Sequence, residues 1–380
     1  MDGKAHTAKY LLRTKALRLS SKFVRATKPN QLDWLLHEIE RIGSPDDLDL
    51  TVPSWRTSQV IVEQFVIAGP ESVTVPPLTH QVAELNSEQY SWPQLCVRTL
   101  HSVVLDADSG LVFARERVLR QSGGGTRSAR DAAFISGAYL RYSRSEQVEM
   151  DTPIAPLDDT SHYYHFLVET LPRVLNVLAV EPATVFVTTQ EPNTVATEIL
   201  KLLKVTVKVL PRGALIKCAK LVLADQPVKF WSRPHDLATL RQAFESALKN
   251  DGTLINNSVY ISRSRSARAP MGEEELERAM REHGIHVAHL ESLSFTSQVE
   301  LLSSAKIIIG AHGAGLANMI FQPTGARVIE ISSGDRFESC YRRMCAALGM
   351  DYTYVPIPGS ENAPFGELSS HSISEVVSEL

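Results

Sequence analysis

Downstream of Ser161 the chain alternates helix-length stretches, apolar at every third or fourth position, with short runs that are apolar on both faces. The pattern predicts helices up to residue 179 and over 194–203 and 235–248, with strands over 184–188, 205–210 and 220–223. Strands and helices in turn build a parallel sheet covered on both sides, so the fold class is α/β. Upstream the period changes. Residues 59–68, 97–105 and 111–115 read as strands broken by turns, and Gly123, Gly124 and Gly125 form a loop. The polar, proline-containing stretch 225–234 predicts a linker. The tail 369–380 is spaced as an amphipathic helix, expected to pack back on the first half. These boundaries give a basic segment over residues 1–30, a strand-rich first domain over 31–228, a second domain over 229–365 and a closing helix over 366–380. A chain of 380 residues is long enough for two such domains, each with its own core.

Residues 306–331, KIIIGAHGAGLANMIFQPTGARVIEI, read as strand, glycine-rich turn, short helix and second strand. Ile307, Ile308 and Ile309 suit a central strand, and Gly310, Gly313 and Gly315 let the backbone turn tightly and approach a ligand closely. Residues 316–321 continue as one or two helical turns. The first amide hydrogens of a helix lack intrahelical partners and its dipole is positive at that end, so a phosphate or pyrophosphate is favoured there. Residues 328–331 form the next strand and set Glu330 near its carboxyl end, where a carboxylate can accept ribose hydroxyls. A dinucleotide fold competes, because Glu330 lies about 20 residues past the glycines. The spacing argues against it: G-x-x-G-x-G replaces G-x-G-x-x-G, and His312 occupies the turn. That the turn only joins strand to helix stays an open alternative.

Two further segments carry chemistry. Residues 259–268, VYISRSRSAR, run off a short strand into a loop with Arg263, Arg265 and Arg268, followed by a helix start at Gly272-Glu273-Glu274-Glu275. Arginine grips phosphate bidentately and keeps its charge, so Arg263 and Arg268 beside the glycine turn would neutralise a diphosphate without metal. A solvated loop paired with the following glutamates is the alternative. In residues 161–173, SHYYHFLVETLPR, His165 and Glu169 are four apart and share one helical face, a way to orient an imidazole or hold a carboxylate as base. Pro172 argues against a long undisturbed helix there. A buried histidine with a capping glutamate is the alternative.

In this order the three segments resemble glycosyltransferase family 61, whose bacterial members carry HF-x-x-E-x-LPR, then ISR with further arginines, then GAHGAGL-x-N-x-x-F and a closing V-x-E strand. The matches are His165, Phe166, Glu169, Leu171, Pro172 and Arg173; Ile261, Ser262, Arg263 and Arg268; and Gly310 to Leu316 with Asn318, Phe321 and Glu330. Gly272 stands where the family often has asparagine, and Ser297 where glutamate is common. The resemblance implies a GT-B fold: two Rossmann-like domains facing across a cleft, with the donor nucleotide on the second and the acceptor on the first. It also implies inverting, metal-independent transfer of a sugar from a nucleotide sugar, expected to be UDP-linked, to a glycan. No metal or other cofactor is then expected. On this expectation Glu169 is the base, oriented by His165. Arg263, Arg268, His312, Gly313, Ala314, Gly315, Leu316, Asn318 and Glu330 serve the donor, and His162 and Arg173 the acceptor. His312 is the second candidate for the base.

Composition restricts partners more than it identifies them. A net charge of −4 gives no support for nucleic acid as partner. Cys96, Cys218, Cys340 and Cys345 lack C-x-x-C spacing, which fits a reducing cytosol. No run of about 20 apolar residues is present. Residues 1–28 interleave basic side chains with Leu11, Leu12, Leu17, Leu19, Phe23 and Val24, so a cytoplasmic protein is expected whose segment either lies on an anionic membrane's inner face or is a basic helix docked on the protein or a disordered arm. Asp106-Ala107-Asp108 resembles the D-x-D of metal-dependent transferases but reads as a hairpin tip. His283, His286 and His289 are interrupted by Gly284 and read as no metal site. A hydrolase lacks its G-x-S-x-G elbow here, and a non-catalytic sugar- or nucleotide-binding protein of the same fold is the remaining alternative.

Overall fold

The computed structural model describes residues 62–79, 84–85, 87–114, 117–118, 147–225, 230–247, 257–333, 338–360 and 362–380. The basic segment 1–30 and the triple-glycine loop lie outside them. The fold is mixed α/β with several sheets.

The first half is not one parallel layer. Its six-stranded sheet has the order Val62–Ala68, Leu95–Leu100, Leu221–Ala224, Ile154–Pro156, Val185–Thr188, Val207–Val209. Ile154–Pro156 pairs in parallel with both its neighbours, and Val207–Val209 in parallel with Val185–Thr188. The two upstream strands are antiparallel. Helices at Tyr163–Val180 and Thr194–Leu202 make the crossovers that the parallel strands require. A second sheet of five strands, Gln147–Met150, Leu215–Cys218, Val103–Asp106, Val112–Ala114 and Arg117–Val118, packs beside it. Asp106-Ala107-Asp108 is a hairpin tip: Asp106 Oδ1 accepts the Asp108 amide at 2.9 Å, and Asp108 Oδ2 accepts the Gly213 amide at 2.8 Å.

The second half is a wholly parallel sheet of order His286–Ala288, Asn257–Ile261, Ala305–Ala311, Arg327–Ser333, Asp351–Ile357. Numbered along the chain that is 2-1-3-4-5, a doubly wound arrangement whose direction of winding reverses between Asn257–Ile261 and Ala305–Ala311. Ligands of such sheets bind outside the carboxyl ends of the strands at that reversal. The arginine loop leaves one of these strand ends and the glycine turn leaves the other.

Helices cover both faces. Leu276 and Met280 of Glu273–Glu282 pack with Val376 of Ser370–Ser378 on one side. The tail helix therefore stays on the second half, where Arg327 also donates to the Glu379 carbonyl at 2.6 Å, and does not return to the first as expected. Its apolar stripe finds a nearer partner in the exposed face of this sheet. On the other side, Phe295, Leu316, Ile320 and Met344 belong to the same buried cluster as Phe166, Leu171, Val174 and Leu240 of the helices Tyr163–Val180 and Pro234–Ala247. One buried cluster thus spans both halves, beside a further cluster within the first half and another within the second.

Candidate active site at the switch point of the second sheet

Gly313, just past the strand Ala305–Ala311, has extended backbone and leads into the 3₁₀ helix Ala314–Phe321. A Cβ at Gly313 would fall on the Arg263 guanidinium, so only glycine lets the two segments meet. Arg263 donates from Nη1 to the His312 carbonyl, and its backbone amide reaches Glu273 Oε1 at 2.7 Å. Among the described residues no carboxylate forms an ion pair with this guanidinium. Burial pushes it below its ordinary range, and the nearby charge of Arg268 pushes in the same direction. Arg268 itself is exposed.

The loop is held from beneath by Glu277, which accepts the hydroxyls of Ser262 at 2.6 Å and Ser264 at 2.7 Å. Burial raises the Glu277 pKa, but hydrogen bonds from Ser262, Ser264 and Arg281 outweigh it and bring it to about 2. Gly272 has φ +86°, the left-handed region that glycine and asparagine tolerate best, and a Cβ there would meet the Leu368 carbonyl at 2.7 Å. Ser297 occupies the third position of the helix capped by Ser294, whose hydroxyl accepts the Ser297 amide at 3.1 Å, and glutamate at that position would complete a capping box. Both departures from the family pattern thus fall at structural positions.

His312 is 30% exposed, with its Nδ1 2.5 Å from Oε1 of Glu330. Glu330 is fully buried and accepts the Tyr352 hydroxyl on its other oxygen at 2.6 Å. It is therefore turned inward onto His312 and does not present a carboxylate for ribose. The His312 ring packs edge-on against Tyr341, whose hydroxyl donates to the Gly313 carbonyl at 2.6 Å.

The opposite wall is the helix Tyr163–Val180. Pro172 is accommodated without a break because Phe166–Thr170 forms a π-helical turn immediately before it, a feature frequent at functional sites. Within that turn His165 Nδ1 lies 2.8 Å from Glu169 Oε2, while Glu169 Oε1 accepts the Phe230 amide at 2.9 Å. Phe230 holds φ 64°, which aims that amide at the carboxylate, and its ring lies 5.3 Å from the His165 ring. Glu169 is buried with both oxygens engaged, whereas His165 keeps Nε2 free of these contacts. An ionised carboxylate only accepts, so the His165 proton resides on Nδ1. Both oxygens of the expected base Glu169 are thus engaged, and the open nitrogen of the pair is Nε2 of His165. Tyr164 stacks edge-on against both His165 and Tyr341, so a row of rings runs from His165 to His312.

Four other expected residues take different places. Asn318 is fully buried, accepts the Tyr163 hydroxyl at 2.6 Å and donates to the Gly315 carbonyl at 3.1 Å, tying the two walls together. Leu316 lies in the core. Arg173 is buried in an ion pair with Asp158, burial bringing its pKa to about 10, so it does not face an acceptor. His162 is exposed beside Asp159, with Nδ1 2.7 Å from Oδ2, at the edge of a cavity of about 140 Å³ that Asp108 and Gln190 also line. The supporting residues Phe230, Tyr341 and Tyr352 come from segments without a motif, and no spacing in the sequence points to them.

A doubly wound sheet with an arginine laid over a glycine turn at its switch point defines an α/β protein with the geometry of an anion site. Residues 163–329 match the family model described as Glycosyltransferase 61. Among curated proteins it is 33% identical over 110 residues to protein O-linked-mannose beta-1,4-N-acetylglucosaminyltransferase 2 of Takifugu rubripes, covering 27% of this chain and 18% of that protein. It is 29% identical over 96 residues to the EGF domain-specific O-linked N-acetylglucosamine transferase of Drosophila melanogaster, covering 24% of this chain and 18% of that protein. The chain thus matches under a fifth of the length of these relatives. Among solved structures, E. coli heptosyltransferase WaaC with ADP is 10% identical, covers 60% of this chain and 99% of that chain, and superposes with a TM-score of 0.33.

Proposed function

We propose that this chain is an inverting, metal-independent glycosyltransferase that moves a sugar from a nucleoside-diphosphate donor to a glycan hydroxyl, its halves acting as the facing domains of a GT-B architecture. The observation that carries the reading is Arg263, a partly buried cation without a carboxylate partner among the described residues, laid on Gly313 at the sheet's switch point. A diphosphate bound there would offset the burial that disfavours its charge. Arg268 and the first amides of the Ala314–Phe321 helix complete the anion site and supply the leaving group with the positive charge a metal supplies elsewhere. From the facing wall His165 Nε2 takes the acceptor hydroxyl's proton as that oxygen bonds to the anomeric carbon and the diphosphate departs from the opposite face. Glu169 holds the imidazole for this step.

N-acetylglucosamine is the first donor sugar to try, since the names of both relatives carry it. Cytoplasmic placement, with residues 1–28 against an anionic membrane, belongs to the same proposal; co-sedimentation with anionic vesicles should fall when those residues are removed. The donor site is tested by thermal shift and calorimetry with UDP, GDP, CDP and ADP in the presence of EDTA. Saturable binding of one of them, lost in Arg263→Ala, is expected. Binding of none, or binding indifferent to Arg263→Ala, would overturn the donor site.

A further inference from the structure

We infer that Glu330 and Tyr352 are positioning residues for His312, holding its imidazole so that it takes up a proton from solvent when a nucleoside diphosphate binds. The inference rests on the donor-site reading and adds a specific source of charge to it. A wholly buried carboxylate is costly unless its oxygens receive hydrogen bonds. Glu330 receives one on each, from Tyr352 at 2.6 Å and His312 at 2.5 Å. Being an acceptor only, the carboxylate draws the His312 proton to Nδ1 and leaves a lone pair on Nε2, the edge of the ring turned away from the buried acid. The ring cannot rotate freely, because Tyr341 packs on it and the His312 backbone is bonded on both sides, its amide to the Ile331 carbonyl at 2.7 Å and its carbonyl to Arg263.

A lone pair repels a phosphate oxygen, whereas a proton on Nε2 donates to it. The charged and titratable groups around the ring decide when that proton arrives. Glu330 faces it from the adjacent strand with Tyr352 bonded to its other oxygen, Tyr341 from the helix Cys340–Leu348 with Cys340 near Glu330, and Arg263 from the loop with Arg268 near Arg263. The arginines oppose a further positive charge while no anion is bound. A diphosphate reverses that balance, placing the imidazolium between a buried carboxylate and a phosphate. The proton moves from buffer to Nε2, and no bond other than that N–H is made.

Calorimetry of the full chain with UDP, GDP, CDP and ADP, at about pH 8 in buffers of low and high ionisation enthalpy, reads the uptake directly. The binding nucleotide should carry roughly half a proton or more in the wild type, and His312→Gln should abolish that uptake. Glu330→Gln should lower it by more than half and weaken binding roughly tenfold, with Tyr352→Phe smaller in the same direction. Arg268→Ala should weaken binding yet keep the uptake. Nitrogen-15 spectra of the imidazole should show the Nδ1–H form in the folded wild type and a mixture in Glu330→Gln, which a purely structural role would not produce. Melting curves identify a variant that fails to fold, in which case Tyr352→Phe carries the test. Nucleotide binding whose proton uptake is the same in wild type, His312→Gln and Glu330→Gln overturns the inference and leaves the donor site standing. Failure of every nucleoside diphosphate to bind the wild type overturns both.

Discussion

Replacing Glu169 by glutamine separates an orienting carboxylate from a catalytic one. The side chain keeps its shape but has a single oxygen for the two donors that Glu169 now satisfies, His165 Nδ1–H at 2.8 Å and the Phe230 amide at 2.9 Å. One of them must face the new NH₂ group. A buried donor left without an acceptor costs about 1–3 kcal/mol. In a chain of this size that lowers the melting temperature by about 1–2 °C per kcal/mol, so the variant should fold and melt only a few degrees early. Its chemistry should suffer more. If the Phe230 amide keeps the oxygen, Nδ1 of His165 loses its acceptor and the tautomer with Nε2 protonated becomes accessible, which cannot act as base. In the serine-protease triad the comparable change lowers kcat by about 10⁴-fold, and loss of a general base typically removes about 10²–10⁴-fold. A nucleoside-diphosphate release assay at saturating donor and acceptor should therefore show losses in that range for both Glu169→Gln and His165→Gln. The double variant should be no slower than His165→Gln within about threefold, because the two side chains act as one unit. Donor affinity should hold. Turnover above about a tenth of wild type in His165→Gln, or single losses that multiply in the double variant, would refute the assignment of His165 as base.

Gly313→Ala should weaken nucleotide binding as much as Arg263→Ala while sparing the fold, since its Cβ displaces the guanidinium and nothing in the core; nucleotide calorimetry beside a thermal melt reads both. Gly272→Asn should be no more stable than Gly272→Ala, both losing about 1–3 kcal/mol in denaturant titration, because asparagine tolerates φ +86° but meets the same Leu368 carbonyl. Glu277 has a folded pKa of about 2, below its unfolded value, so its stabilisation is complete above about pH 4.5 and fades as pH falls towards 2. Melts taken across that window should show a steeper acid-side loss in wild type than in Glu277→Gln. Phe295→Ala opens the aromatic cluster of Phe244, Phe295 and Phe321 and should cost about 3–5 kcal/mol by denaturant titration, with m unchanged.

The second half was the more legible in sequence because its central strand Ala305–Ala311 holds a continuous apolar run that ends on glycine, and helical turns make the connections between its strands. Ile307 to Ile309 could be nothing but a central strand, and the turn after it fixed where a ligand would sit. The first half hid its architecture. Leu215–Cys218 and Leu221–Ala224 lie two residues apart yet enter different sheets, and no periodicity distinguishes such a switch from one bent strand. At the site, His165 and Glu169 were legible as a pair through their spacing, but not which of them is free to act. That is decided by Phe230, a loop residue 61 positions away whose amide occupies the second carboxylate oxygen. Glu330 likewise read as a ligand for ribose because its strand position is visible in sequence and its partner Tyr352, on the next strand, is not.

The arrangement has the same chemical unit on each wall, an imidazole whose Nδ1 is held by a carboxylate with no oxygen to spare: His165 with Glu169, and His312 with Glu330. On the proposed reading the two dyads do different work because their surroundings differ. His312 stands beside Arg263 and the arriving diphosphate, while His165 stands among the rings of Tyr164 and Phe230 on the acceptor's side. Their separation is fixed by structure common to both walls. Tyr163 hydrogen-bonds Asn318, Tyr164 packs on Tyr341, and the hairpin of Glu71–Val75 and Glu88–Trp92 reaches over to the helix Cys340–Leu348 through Glu88 and Arg342, with Arg343 over the Tyr90 and Trp231 rings at 4.8 and 5.0 Å. A base on one side and leaving-group charge on the other, held at a set distance, is the requirement of an in-line displacement. Loosening that clasp, as in Arg343→Ala, should therefore lower turnover while leaving affinity for the free nucleotide unchanged, because the donor site lies wholly on one wall; equal losses in both would mean that the nucleotide itself bridges the walls.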